Sequence, residues 1–357
     1  MSIRDLLKQM IEKDGSDLFY RVGGKPHMRL DGRVVPVSDS ILTAAEVARA
    51  VEELTTSTQR EQLKNNLDID LAIFIEELGR RFRVSIFMQR NHPAMVIRNV
   101  RPCVQNFEDL NLPTDVLRKL CMESRGLILL TGSAGSGKST TIASMIDYVN
   151  NNLEKHILTV EEPIEFTFDD KHSIINQREI GLDVTSYPSA LRAFTLQSPD
   201  VIFIGNIRDR ETMFSALTAA ETGALVFSTL HTVNAPQAIE RIVNFFPPHQ
   251  HNEIKTQLSF LLKGVISLRL VPRKDTSGRI PAYEAMLLTP TVSRLIREGK
   301  IWEIPRFIEE GAVFGMQSFT QSLIKLTKAG KIQEDVAAEF SDNKEEFYLY
   351  LKGIKKI

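Results

Sequence analysis

The fold is decided by one stretch of the chain, GLILLTGSAGSGKST at residues 126–140. The residues up to Thr131 are mostly apolar and predict a short buried strand. Apolar residues follow at Ile142, Met145 and Val149 with helical spacing, so we expect a helix directly after the glycines. The loop between strand and helix fits the pattern G-x-x-x-x-G-K-[ST] at every position, which in this setting indicates a phosphate-binding loop.

The residue types in this loop suit a nucleoside triphosphate, with ATP and Mg²⁺ as the expected ligands. Glycines let backbone N–H groups turn toward the phosphates, and the helix N-terminus adds partial positive charge. We expect Lys138 to neutralise the β- and γ-phosphates and the Ser139 hydroxyl to ligate Mg²⁺. The predicted nucleotide-binding residues are Gly132, Ser133, Ala134, Gly135, Ser136, Gly137, Lys138, Ser139 and Thr140.

The residues around the loop predict a parallel sheet. Short apolar runs at 157–160, 201–204, 224–230 and 265–270 alternate with helical stretches. Continuous apolar strands separated by helices are typical of a parallel sheet buried on both faces. After about residue 290 the pattern is helical to the end, so the second half is predicted to be an α/β domain with a helical tail.

The first hundred residues have a different pattern and predict a small α+β domain. Alternating residues around Asp31 and Gly32 predict a hairpin, and Thr43 followed by Glu46 predicts the capped start of a helix. Alternation at 80–89 predicts a further strand. The predicted organisation is an N-terminal domain at 1–104, a linker at 105–113, the α/β domain at 114–290 and a helical C-terminal segment at 291–357.

Composition excludes several classes of protein. The 357 residues include 44 Lys and Arg against 45 Asp and Glu, a formal charge of −1, without the basic excess that is typical of nucleic-acid binding. The two cysteines, Cys103 and Cys121, are too few for a disulfide scaffold or a four-cysteine zinc site. No apolar run is long enough to cross a bilayer, and the N-terminus lacks the pattern of a signal peptide. We expect a cytoplasmic protein with no nucleic-acid partner.

Further stretches resemble the motifs of the secretion-superfamily ATPases. They are an acidic box, ILTVEEPIEF at 157–166, a second strand motif, SPDVIFIGNIRD at 198–209, and a histidine box, ETGALVFSTLHT at 221–232. Shorter stretches resemble the type IV pilus retraction ATPases of the PilT and PilU family, with the PilU pattern nearer: GSDLF at 15–19, RFRV at 81–84, RIVNFFP at 241–247, VPRKD at 271–275 and GMQSF at 315–319.

This resemblance implies a hexameric motor with a PAS-like N-terminal domain followed by a RecA-like ATPase domain. It also implies a ring, homomeric or mixed with another retraction ATPase, that docks at the inner membrane on a pilus platform protein and powers pilin disassembly. By position in the motifs, Arg81 and Arg98 match N-domain arginines that reach the phosphates. Glu162 matches a carboxylate that serves water or Mg²⁺, and His231 is the remaining histidine of its box.

The sequence departs from the family at residues expected to act in catalysis. The family glutamate that orients the attacking water is Asn206 here, and an amide cannot accept a proton near neutral pH. A family histidine is Ala224 and a family arginine is Leu196, whereas Glu162 keeps the charge of the usual aspartate. We interpret the three losses as surrounding one γ-phosphate, which suggests a ring subunit with slow or absent hydrolysis. The alternative is that Glu162 or another carboxylate takes the missing role and turnover persists.

Two other functions compete with pilus retraction. A type II secretion or pilus assembly ATPase generally carries a four-cysteine zinc module, which this chain cannot build. A RecA-like nucleic-acid motor is disfavoured by the neutral charge. If the chain is a pilus retraction ATPase, an active motor and a non-hydrolysing regulatory subunit differ only in their turnover of ATP.

Overall fold

The computed structural model describes residues 2–30, 33–100, 104–194 and 196–354. Contacts divide the chain into two compact units. The first comprises Met1–Cys103 with Pro163–Thr167, and the second comprises Val104–Glu162 with Phe168–Ile357. The predicted turn at Asp31 and Gly32 lies outside the described residues, as does Cys103.

The first unit is an antiparallel sheet with helices. Its strands are β1 (Asp17–Arg21), β2 (His27–Leu30), β3 (Arg33–Pro36), β4 (Asp68–Ile75), β5 (Arg80–Gln89) and β6 (His92–Val100), in the sheet order β3-β2-β1-β6-β5-β4. Its helices are α1 (Ile3–Glu12), α2 (Ala44–Leu54) and α3 (Ser57–Asn66), with a 3₁₀ turn at Glu76–Leu78. The predicted hairpin is confirmed by the pairing of β2 with β3, and the predicted capped helix by a capping box between Thr43 and Glu46.

Helices α1 and α2 cover one face of this sheet. Their buried apolar residues, such as Leu6 and Val47, form one core with strand residues such as Leu18, Phe82 and Ile97. Because side chains alternate along a strand, the residues between these positions point to the opposite face. That second face carries charged side chains such as Asp17 and Arg98 beside apolar ones such as Phe19 and Val96.

The second unit is an α/β fold. Its strands are β7 (Gly126–Thr131), β8 (His156–Glu161), β9 (Ile174–Glu179), β10 (Val201–Ile204), β11 (Leu225–Leu230), β12 (Leu262–Pro272) and β13 (Arg279–Leu287). Its helices are α4 (Thr114–Cys121), α5 (Lys138–Asn152), α6 (Tyr187–Phe194), α7 (Arg210–Glu221), α8 (Ala235–Asn244), α9 (His251–Leu261), α10 (Pro290–Glu298), α11 (Ile304–Glu310), α12 (Phe319–Lys328), α13 (Glu334–Phe340) and α14 (Lys344–Leu351). Short 3₁₀ turns lie at Pro248–Gln250, Ile301–Glu303 and Ala312–Phe314.

The seven strands form one sheet in the order β13-β12-β7-β11-β10-β8-β9. All neighbours from β12 to β9 are parallel, which confirms the predicted parallel sheet, and β13 adds an antiparallel edge. Strands β7, β10 and β11 are buried along their whole length, as their continuous apolar runs predict. Parallel strands end at a common edge, so this order brings four loops together beyond the carboxyl ends of β7, β8, β10 and β11.

The helices after residue 290 share cores with the sheet. Helix α10 contributes Val292 and Leu295 to the main core of the unit. Helices α12 to α14 form a second cluster with the outer ends of β12 and β13, for example through Phe319, Phe347 and Val271. The helical segment is therefore part of the second unit.

Candidate functional site

The backbone of strand β12 fixes the glycine loop in place. Gly132 has φ +142°, a conformation that side chains rarely adopt. A Cβ atom there would lie 2.6 Å from the carbonyl oxygen of Leu268 and 2.5 Å from Oγ of Ser136. Only glycine fits this approach, so the loop turns tightly off the end of β7 and leads into α5 at Lys138.

Two polar groups of the loop are buried. Lys138 is 7% exposed, and its Nζ donates to the carbonyl oxygens of Gly132 at 2.8 Å and Ser133 at 2.9 Å. Oγ of Ser136 is buried and has no hydrogen-bond partner among the described residues. Buried polar groups cost free energy unless they are satisfied. An ammonium group and an unsatisfied hydroxyl in one turn, at a helix N-terminus, therefore suit an anionic, hydrogen-bonding ligand.

Hydrogen bonds between strands gather the other predicted residues at the same edge of the sheet. The Gly205 N–H donates to the carbonyl oxygen of Val160 at 2.8 Å, and the Thr229 hydroxyl donates to the carbonyl oxygen of Gly205 at 2.7 Å. These bonds align the ends of β8, β10 and β11. Glu162, Asn206 and His231 each follow within two residues of those ends, and the loop follows β7.

The adjacent glutamates Glu161 and Glu162 of the acidic box have different surroundings. Glu161 is buried and accepts a hydrogen bond from the Thr159 hydroxyl at 2.8 Å. The side chain of Glu162 is 45% exposed and lies 3.5 Å from Nη1 of Arg208. Such an exposed ion pair is weak. Of these two carboxylates, Glu162 is therefore the one that solvent and ligands can reach.

Asn206 is 8% exposed, and its Oδ1 has no hydrogen-bond partner within the described part of the chain. A buried amide oxygen without a partner costs about 1–3 kcal/mol. Its position beside the phosphate-binding edge makes it an acceptor available to a water molecule or a ligand.

The other two departures from the family pattern are Ala224 and Leu196. Ala224 lies just before β11, whose first residue Leu225 pairs with Gly126, the first residue of β7. The glycine loop follows Thr131, the last residue of β7. Six strand residues separate these ends, about 20 Å at the usual rise. Leu196 is 89% exposed and lies between the end of α6 and the start of β10. Ala224 lies far from the loop, so the interpretation that all three losses surround one γ-phosphate is wrong for Ala224.

Partial burial, helped by nearby positive charge, favours the neutral form of His231. Partial burial, with repulsion from Lys138 and Arg208, lowers the pKa of His231 from its ordinary value. The imidazole is therefore uncharged near pH 7 and can donate or accept a hydrogen bond.

A buried carboxylate that the sequence analysis missed lies behind the loop. Thr131, Ser267 and Glu284 are neighbours on β7, β12 and β13. The Thr131 hydroxyl donates to Oγ of Ser267 at 2.9 Å, and the Ser267 hydroxyl donates to Oε1 of Glu284 at 3.2 Å. The same Oε1 accepts the N–H of Ala235 at 2.8 Å. Burial raises the pKa of Glu284 to about 7, and this row ties the strand before the loop to the start of α8.

Two cavities flank the loop. One, of ≈ 250 Å³, lies on the side of Leu110, Thr140 and Pro281. The other, of ≈ 280 Å³, lies between the loop and Val233. Arg279 lines both cavities. They leave room beside the phosphate-binding turn for other parts of a nucleotide.

In the first unit, the predicted arginines are not direct partners. Arg81 pairs with Val100, whereas Arg83 lies directly opposite Arg98. Arg83 and Arg98 also line a cavity of ≈ 210 Å³ that includes Asn99. Arg83 is not among the predicted site residues, although the alternation in RFR places Arg81 and Arg83 on one face of the strand.

The residues present fit a magnesium ion bound together with a triphosphate. Among the described residues, no group of three or more His, Cys, Asp or Glu side chains could hold a metal. Mg²⁺ needs no such cage, because it keeps several waters and takes one or two protein ligands with phosphate oxygens. The hydroxyl of Ser139 in the first turn of α5 and the accessible carboxylate of Glu162 meet that requirement.

None of the helices in the described ranges combines the length and apolarity needed to cross a membrane. Of the two cysteines, Cys121 is a buried free thiol.

Known proteins resemble this chain over nearly its full length. It is 40% identical to the type IV pilus ATPase PilU of Pseudomonas aeruginosa over 352 residues, 99% of this chain and 92% of that protein. It is 38% identical to PilT, the type IV pilus retraction ATPase of the same organism, covering 97% of this chain and 100% of that one. A crystal structure of the pilus retraction motor PilT with bound ADP superposes with a TM-score of 0.90 at 40% identity, covering 97% of this chain and 98% of the other.

The model of the Type II/IV secretion system protein family matches residues 1–316. That match covers the phosphate-binding loop, the acidic box and the histidine box. The chain belongs to the Type II/IV secretion system protein family.

Proposed function

We propose that this chain is an ATP-binding subunit of a type IV pilus retraction ATPase whose own hydrolysis is slow because Asn206 replaces the family glutamate. The observation that carries nucleotide binding is the loop at 132–140, with Lys138 buried in it. The near full-length likeness to PilU, to PilT and to a PilT structure that holds ADP supports both the ligand and the role in pilus retraction.

Hydrolysis of ATP to ADP and phosphate needs positioning, charge stabilisation and an oriented water molecule. Lys138 serves the charge of the phosphates. Oδ1 of Asn206 can hold a water molecule by a hydrogen bond but cannot take its proton. Glu162 is the accessible carboxylate that remains beside it, and neutral His231 can donate to a phosphate oxygen. These residues are better suited to binding ATP than to hydrolysing it.

Mg²⁺, when bound, would neutralise phosphate charge at this site. Ser139 and Glu162 are the residues that would hold it. Glu161 is less suited, because its carboxylate is buried and engaged by the Thr159 hydroxyl.

The domain organisation supports the same assignment. We take the antiparallel sheet with α1 and α2 as the PAS-like domain over 1–104, and 105–113 as the linker. The parallel sheet is the RecA-like core over 114–290, with a helical segment at 291–357. Arg81 and Arg98, together with Arg83 opposite Arg98, supply guanidinium groups for phosphates. The family implies a hexameric ring, homomeric or mixed, docked on a platform protein at the cytoplasmic side of the inner membrane.

A type II secretion or pilus assembly ATPase is the weaker alternative. The type II secretion system protein E of Xanthomonas campestris is 33% identical over 72% of this chain, and the match covers 43% of that protein. The matches to PilT and PilU cover a larger share of both this chain and the relative. The second candidate is a non-hydrolysing regulatory ring subunit, which is favoured by the amide of Asn206 in place of a carboxylate.

The test is to measure ATP binding and turnover of the purified protein with Mg²⁺. We expect ATP binding in the micromolar range, turnover well below about 1 s⁻¹, the lower end for phosphoryl-transfer enzymes, and loss of binding by about 100-fold in Lys138→Ala. Lys155→Ala is the matched control, because Lys155 pairs with Asp200 at the far edge of the sheet. Failure to bind ATP would refute the proposal, and rapid turnover that depends on Lys138 would refute slow hydrolysis.

A further inference from the structure

One face of the sheet in the first unit carries a row of charged side chains. The strand register places Arg29, Asp17, Arg98 and Arg83 side by side on β2, β1, β6 and β5, each directly opposite the next. The alternation along each strand puts them on the face opposite the apolar core. The row therefore contains three arginines and one aspartate.

Asp17 is the buried member of this row, with 5% exposure. Its Oδ1 accepts Nε–H of Arg98 at 2.9 Å, and its Oδ2 accepts the Ser16 hydroxyl at 2.8 Å and Nε–H of Arg29 at 3.2 Å. Burial acts to raise the pKa of Asp17, but the Ser16 hydroxyl and the guanidinium of Arg98 outweigh burial and lower it. The carboxylate is therefore charged at neutral pH.

Arg98 is held at one end only. Its Nε donates to Asp17, while no hydrogen bond among the described residues uses Nη1 or Nη2, and 62% of the side chain is exposed. A guanidinium is a rigid planar fork, so fixing Nε also fixes the plane of both Nη atoms. A group that is already oriented loses less conformational entropy when a ligand binds.

On the side away from Asp17, the neighbour of Arg98 is Arg83, which carries the same charge. Like charges directly opposite on neighbouring strands are destabilising. No ion pair or hydrogen bond joins the Arg83 side chain to the described residues, and Arg83 and Arg98 line the same cavity of ≈ 210 Å³. A phosphate group matches the geometry of the guanidinium fork and would relieve this repulsion.

We propose that Asp17 is a positioning residue for Arg98: it fixes the guanidinium through Nε and so presents Nη1 and Nη2 to the phosphates of a nucleoside triphosphate. The inference rests on the proposed function, in which Arg98 contacts those phosphates. Asp17 itself touches no nucleotide. Its effect on nucleotide affinity therefore acts wholly through Arg98.

The test is a double-mutant cycle on the full-length protein with fluorescent ATP and ADP analogues. We expect Arg98→Ala to weaken ATP binding by about tenfold, the value of one charge-assisted hydrogen bond, with a smaller effect on ADP. Asp17→Ala should weaken ATP binding by a similar factor, and the double variant should be no weaker than Arg98→Ala alone. Asp17→Asn, which keeps an acceptor for Nε, should recover part of the loss.

Each failure has its own meaning. If the wild type does not bind ATP, the proposed function fails and this inference falls with it. If ATP is bound but Arg98→Ala has no effect, only the role of Arg98, and with it that of Asp17, is overturned. If Arg98→Ala weakens binding but Asp17→Ala does not, or if their effects add, then Asp17 does not act through Arg98.

Two further variants separate positioning from a general loss of structure. Asp39→Asn is the matched control, because Asp39 forms an exposed ion pair with Lys25 in the same unit, and nucleotide affinity should not change. Thermal unfolding reports the fold of every variant. If Asp17→Ala does not fold, the cycle is run with Asp17→Asn, and additive effects in that cycle overturn the inference equally.

Discussion

The proposed nucleotide site in the second unit has a binding half and a hydrolytic half, which are built differently. On the binding half, Gly132 fits against the backbone of β12, and the buried ammonium group of Lys138 is satisfied by two carbonyl oxygens. On the hydrolytic half, Oδ1 of buried Asn206 has no partner among the described residues, and Glu162 is only loosely paired with Arg208. The binding half depends mainly on backbone geometry, whereas the hydrolytic half depends on one or two side chains.

From this difference we expect that binding and hydrolysis can be lost separately. A loop that turns on glycines and a strand backbone keeps its form when a neighbouring side chain changes. The orientation of one water molecule has no such support, since a single carboxylate-to-amide change removes the proton acceptor. The variants below test this expectation.

The largest effect is expected from Asn206→Glu. Restoring a carboxylate supplies a general base, and such help is typically worth about 10²–10⁴ in rate. We therefore expect turnover of ATP to rise steeply while ATP affinity changes by less than about threefold, since the binding half is untouched. Asn206→Gln, which adds the same methylene without the charge, is the matched control. An unchanged rate in Asn206→Glu would mean that another group already activates the water.

Glu162→Gln tests the other carboxylate. If Glu162 supports the residual turnover of the wild type, its loss should lower kcat by about tenfold or more. Loss of a ligand should also raise the Mg²⁺ concentration needed for ATP binding. Glu154→Gln is the control, because Glu154 is exposed at the opposite end of β8. If Glu162→Gln and Glu154→Gln behave alike, Glu162 has no role at the site.

A smaller effect concerns the carboxylate behind the loop. Burial raises the pKa of Glu284 to about 7, above its value in the unfolded chain. The folded protein thus holds a proton that the unfolded chain releases, so Glu284 lowers stability as pH rises from about 4.5 to 7, by about 3 kcal/mol in all. Glu284→Gln keeps an acceptor for Ser267 and Ala235 but has no charge to bury. The melting temperature of Glu284→Gln relative to that of the wild type should therefore be higher at pH 8 than at pH 5.

The control for this comparison is Ser322→Ala. Ser322 is buried and accepts the backbone N–H of Tyr283, next to Glu284, but lies outside the row that leads to the loop. It should lower stability equally at both pH values. Melting curves of Glu284→Gln that run parallel to those of the wild type would show that Glu284 does not titrate in this range.

Some elements were accessible to sequence reasoning because their causes are local. The helix that begins after Thr43 is set by a capping box, and β7, β10 and β11 by continuous apolar runs. Strand β9 was missed, because its sequence IINQRE is polar at the edge of the sheet, where Ile174 is 59% exposed. An edge strand does not need apolar residues on both of its faces, so its hydrophobic sequence pattern is weak.

The glycine loop and the parallel sheet that carries it could be predicted from the sequence, because both follow from residue types at fixed short spacings. Which distant residues meet could not be predicted in this way. Strand order places Ala224 at the far edge from the loop, and register puts Arg83 and Asp17 on either side of Arg98. The physical reason is that register and strand order are set by packing between segments far apart in the chain, and no local pattern encodes them.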